Sequence, residues 1–318
     1  MVYVWLSNYA LCYALSKESA LDKTSDSTKP RWGQARRLAF IDLRLQYDGR
    51  INRSDIQDFF QISTPQATAD LELYRQMAGS NLRYDGRQKA YVAEAGFVPQ
   101  FGHTTADRYL DELYRLESGL VSRDESFVGY SPSIGVVATP SRAIDATAVA
   151  TLVRAVRDST ALAVTYNSMN TETPANRVIS PHAMGFDGLR WHVRAWCHTR
   201  GVFRDFAIGR LHILGTADVE ASPNPSDDIG WATTVVLVLK PHPELKAHQR
   251  EAVMRDFGMK DGKREVECRK AMVFYTLRHL NLERDEVAED PALQHVVLAN
   301  RPEVNRWMNE DRALAPAP

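Results

Sequence analysis

The stretch from Arg53 to Tyr91, RSDIQDFFQISTPQATADLELYRQMAGSNLRYDGRQKAY, constrains the fold of this chain more than any other. Ser54 and Gln57 have the S-x-x-Q spacing of a capping box, which satisfies orphan amide donors where a helix begins. Ile56, Phe59 and Phe60 then fall on one apolar face. After a turn at Gln61 to Ser63, Thr64 reads as an N-cap, and Pro65 suits the first helical position, where a missing N–H costs nothing. Ala67, Leu71, Tyr74 and Ala78 recur at helical spacing and face the domain, while Gln66, Ala69 and Gln76 point outward, as does Leu73. Asn81 to Tyr84, the Asp85-Gly86 dipeptide that favours a type I′ turn, and Arg87 to Val92 read as a hairpin. Helix, tight turn, helix and hairpin is the order of a winged helix-turn-helix, whose second helix enters the major groove of double-stranded DNA.

That geometry sends Gln66 and Thr68 towards base edges with Thr64 near a phosphate, and Arg53, Ser63, Ala69 and Arg75 are further candidate DNA-binding residues. Arg83, Arg87 and Lys89 make the hairpin a basic wing. Two amphipathic helices and a hairpin also occur in ordinary α+β domains, and charge discriminates between the readings. From Arg31 to Val92 there are ten Lys plus Arg against seven Asp plus Glu, in a chain of net charge −1. A basic domain in a near-neutral chain fits a phosphate footprint.

At 318 residues the chain exceeds one ordinary core, so two or three domains are expected. No apolar run approaches the ~20 residues of a membrane helix. The apolar N-terminus, MVYVWLSNYALCYAL, lacks the positive region and cleavage site of a signal peptide and reads as a packing arm within an extension over residues 1–30. Cys12, Cys197 and Cys268 are too scattered for a metal site or a disulfide framework, which fits a reducing cytoplasm. No cofactor or metal motif is present.

The winged domain spans residues 31–102, its first helix running from Gln34 to Tyr47 with Leu38, Ile41 and Leu45 inward and Arg36, Arg37 and Arg44 off that face. Residues 103–143 hold a helix from Thr104 to Leu116, a brace or a dimer contact, and then a Gly-, Pro- and Ser-rich stretch that reads as a linker. A third domain, 144–222, opens with a helix from Ile144 to Arg157 and continues as short strands, Ala161 to Tyr166, Val178 to Ala183, Leu189 to Cys197, Val202 to Ile208 and Leu211 to Thr216. Residues 223–312 alternate strand and helix as an α/β appendage, and 313–318 read as a disordered tail. The fold class is multidomain α+β.

In a strand, His192, Arg194 and Trp196 share one face, and Trp191, Val193 and Ala195 the other. From Ala161 to Thr216 there are six arginines against three acids. Guanidinium forks match phosphate oxygens, so Arg194, Arg204 and Arg210 with His192 suit an anionic ligand, and Tyr166, Ser168 and His182 add hydrogen bonds or a stacking surface. The alternative is that these arginines are solvated and Trp191 is core. His192 with Cys197 or His198 could make a base and nucleophile, yet no nucleophile elbow, phosphate-cradling Gly loop or paired carboxylates stand beside them.

Pro65-Gln66-Ala67 with Asp70-Leu71, Tyr166 to Ser168 (YNS), Ser180-Pro181-His182, Arg190 to Trp196 (RWHVRAW), Phe203 to Phe206 (FRDF) and Gly209-Arg210-Leu211 together resemble the WYL-domain transcriptional regulators. The resemblance is greatest to the stand-alone repressors of bacterial phage-defence systems, the BrxR and CapW type. The triplet that names the domain is Trp191-His192-Val193 here, and His in the middle looks like the phage-defence branch. The resemblance implies a small Sm-like β-barrel as sensor, a C-terminal extension that forms a homodimer, and repression of a neighbouring operon relieved by a ligand. It assigns sensor roles to Trp191, His192, Arg194, Arg204 and Arg210, and to Tyr166, Ser168 and His182. The expected partners are operator DNA, a second copy of the chain and a nucleotide or nucleic-acid effector, with no membrane. A nucleic-acid-processing enzyme, or an adaptor tethered by the basic domain, is the competing reading.

Overall fold

A computed structural model of the protein describes residues 32–102, 105–140, 142–169, 171–219, 223–285, 287–288 and 290–314. The expected N-terminal extension, with Cys12, and residues 315–318 lie outside them. The described chain falls into two compact units that divide between Ala138 and Thr139.

In the first unit, α1 (Trp32–Asp48) buries Leu38, Ile41 and Leu45. It ends at Gly49, whose φ of 72° favours the residue without a Cβ. Then come β1 (Arg50–Ile51), α2 (Arg53–Phe60), α3 (Thr64–Ala78), β2 (Leu82–Asp85), β3 (Ala90–Ala93) and α4 (Ala106–Glu117). The short β1, absent from the sequence reading, pairs with β3 and makes the hairpin a three-stranded wing, β1-β3-β2.

Three local expectations change. Asn52, not Ser54, caps α2: its backbone is still extended as it leaves β1, and the Asp55 carboxylate accepts its N–H at 2.6 Å. Ser63, not Thr64, caps α3, because Thr64 is already helical; the Ser63 hydroxyl accepts the Gln66 N–H at 3.4 Å. At the wing tip Asp85 pairs with Ala90, so the loop is Gly86 to Lys89 rather than a type I′ turn centred on Asp85-Gly86. The Asp85 carboxylate accepts the N–H of Arg87 and of Gln88 at 2.8 and 3.1 Å, and Lys89 takes the positive φ of 51°.

Ala67, Leu71, Tyr74 and Ala78 enter one core with α1 and α2, and Leu73, expected outside, packs against it too. Burying a side chain such as Leu71 contributes about 2 kcal/mol. The buried Asp42 carboxylate accepts from the Tyr74 hydroxyl and from the N–H groups of Gln100 and Phe101, and Asn81 donates to Tyr74 at 3.2 Å and to the Val98 carbonyl at 2.7 Å. The network ties α3 to both ends of the wing. The stretch read as a linker has no regular structure up to Ala138, yet Phe127 packs against Phe40, Phe59 and Phe60 at 5.3, 5.2 and 6.0 Å, with Ser126 and Val128 buried beside it. Part of it is core, because aromatic packing decides burial where no periodicity exists. Helix α4 contacts α1 through Tyr109, stacked on Tyr47 at 3.8 Å.

In the second unit, α5 (Ala146–Asp158) is capped by the Asp145 side chain. Then β4 (Leu162–Tyr166), β5 (Ala175–Phe186), β6 (Trp191–Cys197), β7 (Val202–Ala207) and β8 (Leu211–Thr216) form an antiparallel sheet of order β7-β6-β5-β4-β8. No ladder joins β7 to β8 among the described residues. Val193, Ala195 and Cys197 meet Leu152 and Ala155 of α5 in its core. The C-terminal part holds α6 (Ile229–Ala232), β9 (Thr234–Pro241), α7 (Ala247–Asp256), β10 (Arg264–Arg269), α8 (Val273–His279), β11 (Val296–Leu298) and α9 (Arg301–Leu314), with an antiparallel sheet β10-β9-β11. Helix α9 runs past Arg312, where the tail was expected to begin.

Candidate functional site

The rotation of α3 about its axis follows from its buried stripe, Ala67, Leu71 and Tyr74 at 0, 2 and 0% exposure. That leaves Thr64, Pro65, Thr68, Ala69 and Gln76 exposed on the other side. Gln66 is half-buried, and its amide donates to Asp70 at 3.3 Å, while the buried Asp70 is paired with Arg37 at 2.6 Å. The Thr68 hydroxyl donates to the Thr64 carbonyl and the Thr64 hydroxyl accepts from Gln57, both at 2.8 Å. Each hydroxyl keeps acceptor capacity for a base or phosphate partner.

Several expected phosphate cations are already paired. Arg75 meets Glu72 at 3.0 Å, and Arg83 meets Glu94 at 3.2 Å. Arg53, Arg87 and Lys89 are exposed and have no ion pair among the described residues. The open positive charge therefore sits at the wing tip and at the start of α2.

In the sheet, the expected ligand residues separate. Antiparallel partners share a face, and Arg194 lies opposite Asp205 while Arg204 lies opposite Ala195. Arg204 is therefore on the other side of the sheet from His192 and Arg194, with Val193 and Phe206. The alternation that grouped His192 with Arg194 holds; grouping Arg204 with them needed the register of a second strand.

The face carrying His182, His192 and Arg194 is not an open cationic surface. Asp228, the N-cap of α6, accepts from Arg194 Nε at 2.7 Å and Nη2 at 3.0 Å and lies 2.9 Å from His182 Nε2. Arg194 Nη1 also meets Asp205 at 3.3 Å, and the Tyr275 hydroxyl donates to Asp205 at 3.2 Å. Burial pushes the Asp228 carboxyl up, but hydrogen bonds from His182 and Arg194 outweigh it and hold it below the usual carboxylate range. His192 is buried, its ring 5.1 Å from that of Tyr275, and burial depresses its pKa against the opposing pull of Asp187 and Asp205. These groups form a buried, ion-paired seam between the five-stranded sheet and the C-terminal elements, not the open cationic surface that alternation along one strand suggested. Asp228 lay unnoticed in the turn-rich ASPNPSDDIG run; an acid just before a helix start was the available signal.

The remaining residues point to a different place. Trp191, 44% exposed with Phe186 5.0 Å behind it, lines a cleft of about 620 Å³ with Arg210, Arg190, Leu189 and the segment from Thr139 to Ile144, which includes Arg142. Arg190 is held by Asp187 at 3.1 Å, whereas Arg142 and Arg210 have no ion pair among the described residues. Tyr166 packs on Phe206 at 5.0 Å, and its hydroxyl accepts the N–H of Ala207, a cleft-lining residue, at 3.4 Å. Ser168 and His182 do not line this cleft. Cys197 is fully buried in the core, away from any role as nucleophile. An aromatic face beside open guanidinium groups suits a ring attached to a phosphate.

A winged helix, a small antiparallel five-stranded sheet and a C-terminal α/β module, in that order, define a WYL-domain transcriptional regulator. Residues 33–115 match the BrxR transcriptional regulator winged helix-turn-helix domain, 147–214 the WYL domain, and 234–304 the BrxR transcriptional regulator C-terminal dimerization domain. The chain is 60% identical over 290 residues to the DNA-binding transcriptional repressor CapW of Stenotrophomonas maltophilia, covering 91% of this chain and 97% of that one. It is 40% identical to CapW of Pseudomonas aeruginosa and 37% identical to CapW of Escherichia coli, each covering 86% of this chain and 91% of the relative. The chain belongs to the CapW family of DNA-binding transcriptional repressors, a family of regulators and not of enzymes. No helix among the described residues is long and apolar enough to cross a membrane.

Proposed function

We propose that the chain acts in the cytoplasm as a homodimer that grips an inverted repeat through two winged helices, silences an adjacent phage-defence operon, and releases it when a nucleotide or nucleic-acid end occupies the cleft beside Trp191. The observation that carries the DNA reading is the exposed side of α3, Thr64, Thr68 and Ala69, held outward by the buried Ala67, Leu71 and Tyr74. The match of residues 234–304 to a dimerization domain supports the two-fold partner. Two-fold symmetry makes the half-sites inverted. The effector reading rests on the cleft, where Arg210 and Arg142 can take a phosphate and Trp191 can stack on a ring.

Titration of the protein against DNA from upstream of its own coding sequence, over a range of salt, tests the first part. Tight binding at low salt that weakens steeply with salt is expected, with protection of two inverted half-sites in a footprint. Absence of binding at low salt would overturn the operator reading.

A further inference from the structure

Arg142 is not part of the sheet on which the sensor residues sit. It belongs to the stretch from Thr139 to Ile144, which follows Ala138, the last residue of the first compact unit, and precedes α5. The described residues of this stretch have no regular structure, and Thr139, Pro140, Arg142 and Ala143 are exposed. Its apolar anchor is Ile144, half-buried against the sheet core. Yet Thr139, Pro140, Arg142, Ala143 and Ile144 line the same cleft as Trp191, Arg190 and Arg210.

We propose that Arg142 is an effector-binding residue, and that a phosphate held jointly by Arg142 and Arg210 fixes the connector to the sensor sheet, which is how the effector reaches the winged helix. This rests on the effector reading of the cleft. Arg190 is less suited to the task, since its guanidinium is 3.1 Å from Asp187. Without an anion, Arg142 and Arg210 repel one another and the connector keeps its conformational freedom; with one, two guanidinium groups converge on the same oxygens and that freedom is lost. A ligand that orders the stretch next to the boundary between the two units has a differential affinity for the states of that stretch, which is what shifting a population requires.

The experiment uses the full chain with AMP, ADP and a 5′-phosphorylated dinucleotide as probes, the last distinguishing a nucleic-acid end from a free nucleotide. Calorimetric affinities are measured for wild type and for Arg142→Ala, Arg142→Lys, Arg210→Ala and Arg204→Ala, with thermal midpoints confirming folding. Arg142→Ala and Arg210→Ala should each weaken the best probe about tenfold, on the order of 1.4 kcal/mol. Arg142→Lys should weaken it less, and Arg204→Ala, which does not line the cleft, should bind as wild type does. Amide exchange over residues 139–144 should slow when the probe binds wild type but not Arg142→Ala. If Arg210→Ala loses the probe while Arg142→Ala keeps it, the connector proposal fails and the effector cleft stands. If wild type binds none of the probes, or Arg210→Ala is silent, both fall.

Discussion

Arg194 and Asp228 meet through two hydrogen bonds, Nε to Oδ2 at 2.7 Å and Nη2 to Oδ1 at 3.0 Å, joining β6 of the five-stranded sheet to the start of α6. Their side chains are 11% and 2% exposed. A planar fork on a carboxylate is geometrically specific, and its burial makes each partner depend on the other. The pair therefore joins the five-stranded sheet to the C-terminal elements, with the Arg194 guanidinium committed to Asp228 and Asp205.

Arg194→Ala should lower the unfolding free energy by about 3–5 kcal/mol, because it leaves the buried Asp228 carboxylate without its cation, held only by His182 and the Trp231 N–H. Denaturant unfolding of the purified chain measures this. A loss below about 1 kcal/mol would mean the pair is in effect solvated.

Stability should decline as pH falls through the His192 range. Burial depresses its pKa from 6.5, Asp187 and Asp205 pull it up, and Arg190 and Arg210 push it down. Between the lowered folded value and 6.5 the unfolded chain binds a proton that the folded chain refuses, so stability rises with pH across that window. His192→Asn should flatten the dependence in unfolding curves taken across it. His198, also depressed by burial, supplies the slope that remains. An unchanged slope in His192→Asn would contradict a neutral buried imidazole.

On DNA, Thr68→Ala should relax sequence preference with little change in salt dependence, whereas Arg87→Ala and Lys89→Ala should weaken all sequences alike. Each of the latter should also reduce the salt slope by roughly one unit. Arg83→Ala should do less than Arg87→Ala, since Arg83 is spent on Glu94 at 3.2 Å. Operator titrations at several salt concentrations decide the matter; equal effects from the base-facing and wing substitutions would end this division of labour.

Gly129→Ala should loosen the irregular segment against the winged helix. A Cβ there would meet the carboxylate of Asp48 and the guanidinium of Arg44, and the neighbouring Tyr130 N–H donates to Asp48 at 3.1 Å. The Asp48 and Arg44 side chains must then swing away, which disturbs their 2.9 Å ion pair and the Tyr130 contact. Limited proteolysis between residues 118 and 138 should accelerate in the variant; wild-type resistance would show that the segment yields without cost.

The winged helix was legible in the sequence because its determinants are local. The spacing of Ala67, Leu71, Tyr74 and Ala78 is a property of one helix, and the alternation through Val193 and Ala195 a property of one strand. Boundaries were less so: Asn52 and Ser63 cap where Ser54 and Thr64 were expected, since a cap needs an extended backbone set by what precedes it.

The middle domain shows the limit most clearly. Its arginines are plain in the sequence, but each has a fate that depends on residues far along the chain. Arg194 is neutralised by Asp228, Arg204 is turned to the other face by the β6–β7 register, and Arg210 faces a connector whose Arg142 carries no periodic signal. The sequence by itself determined which segments are helix and strand, because hydrophobic periodicity acts over a few residues. Only the tertiary structure decided which charges meet a partner and which remain open to a ligand, because Coulomb and hydrogen-bond energies depend on distances that chain order does not contain.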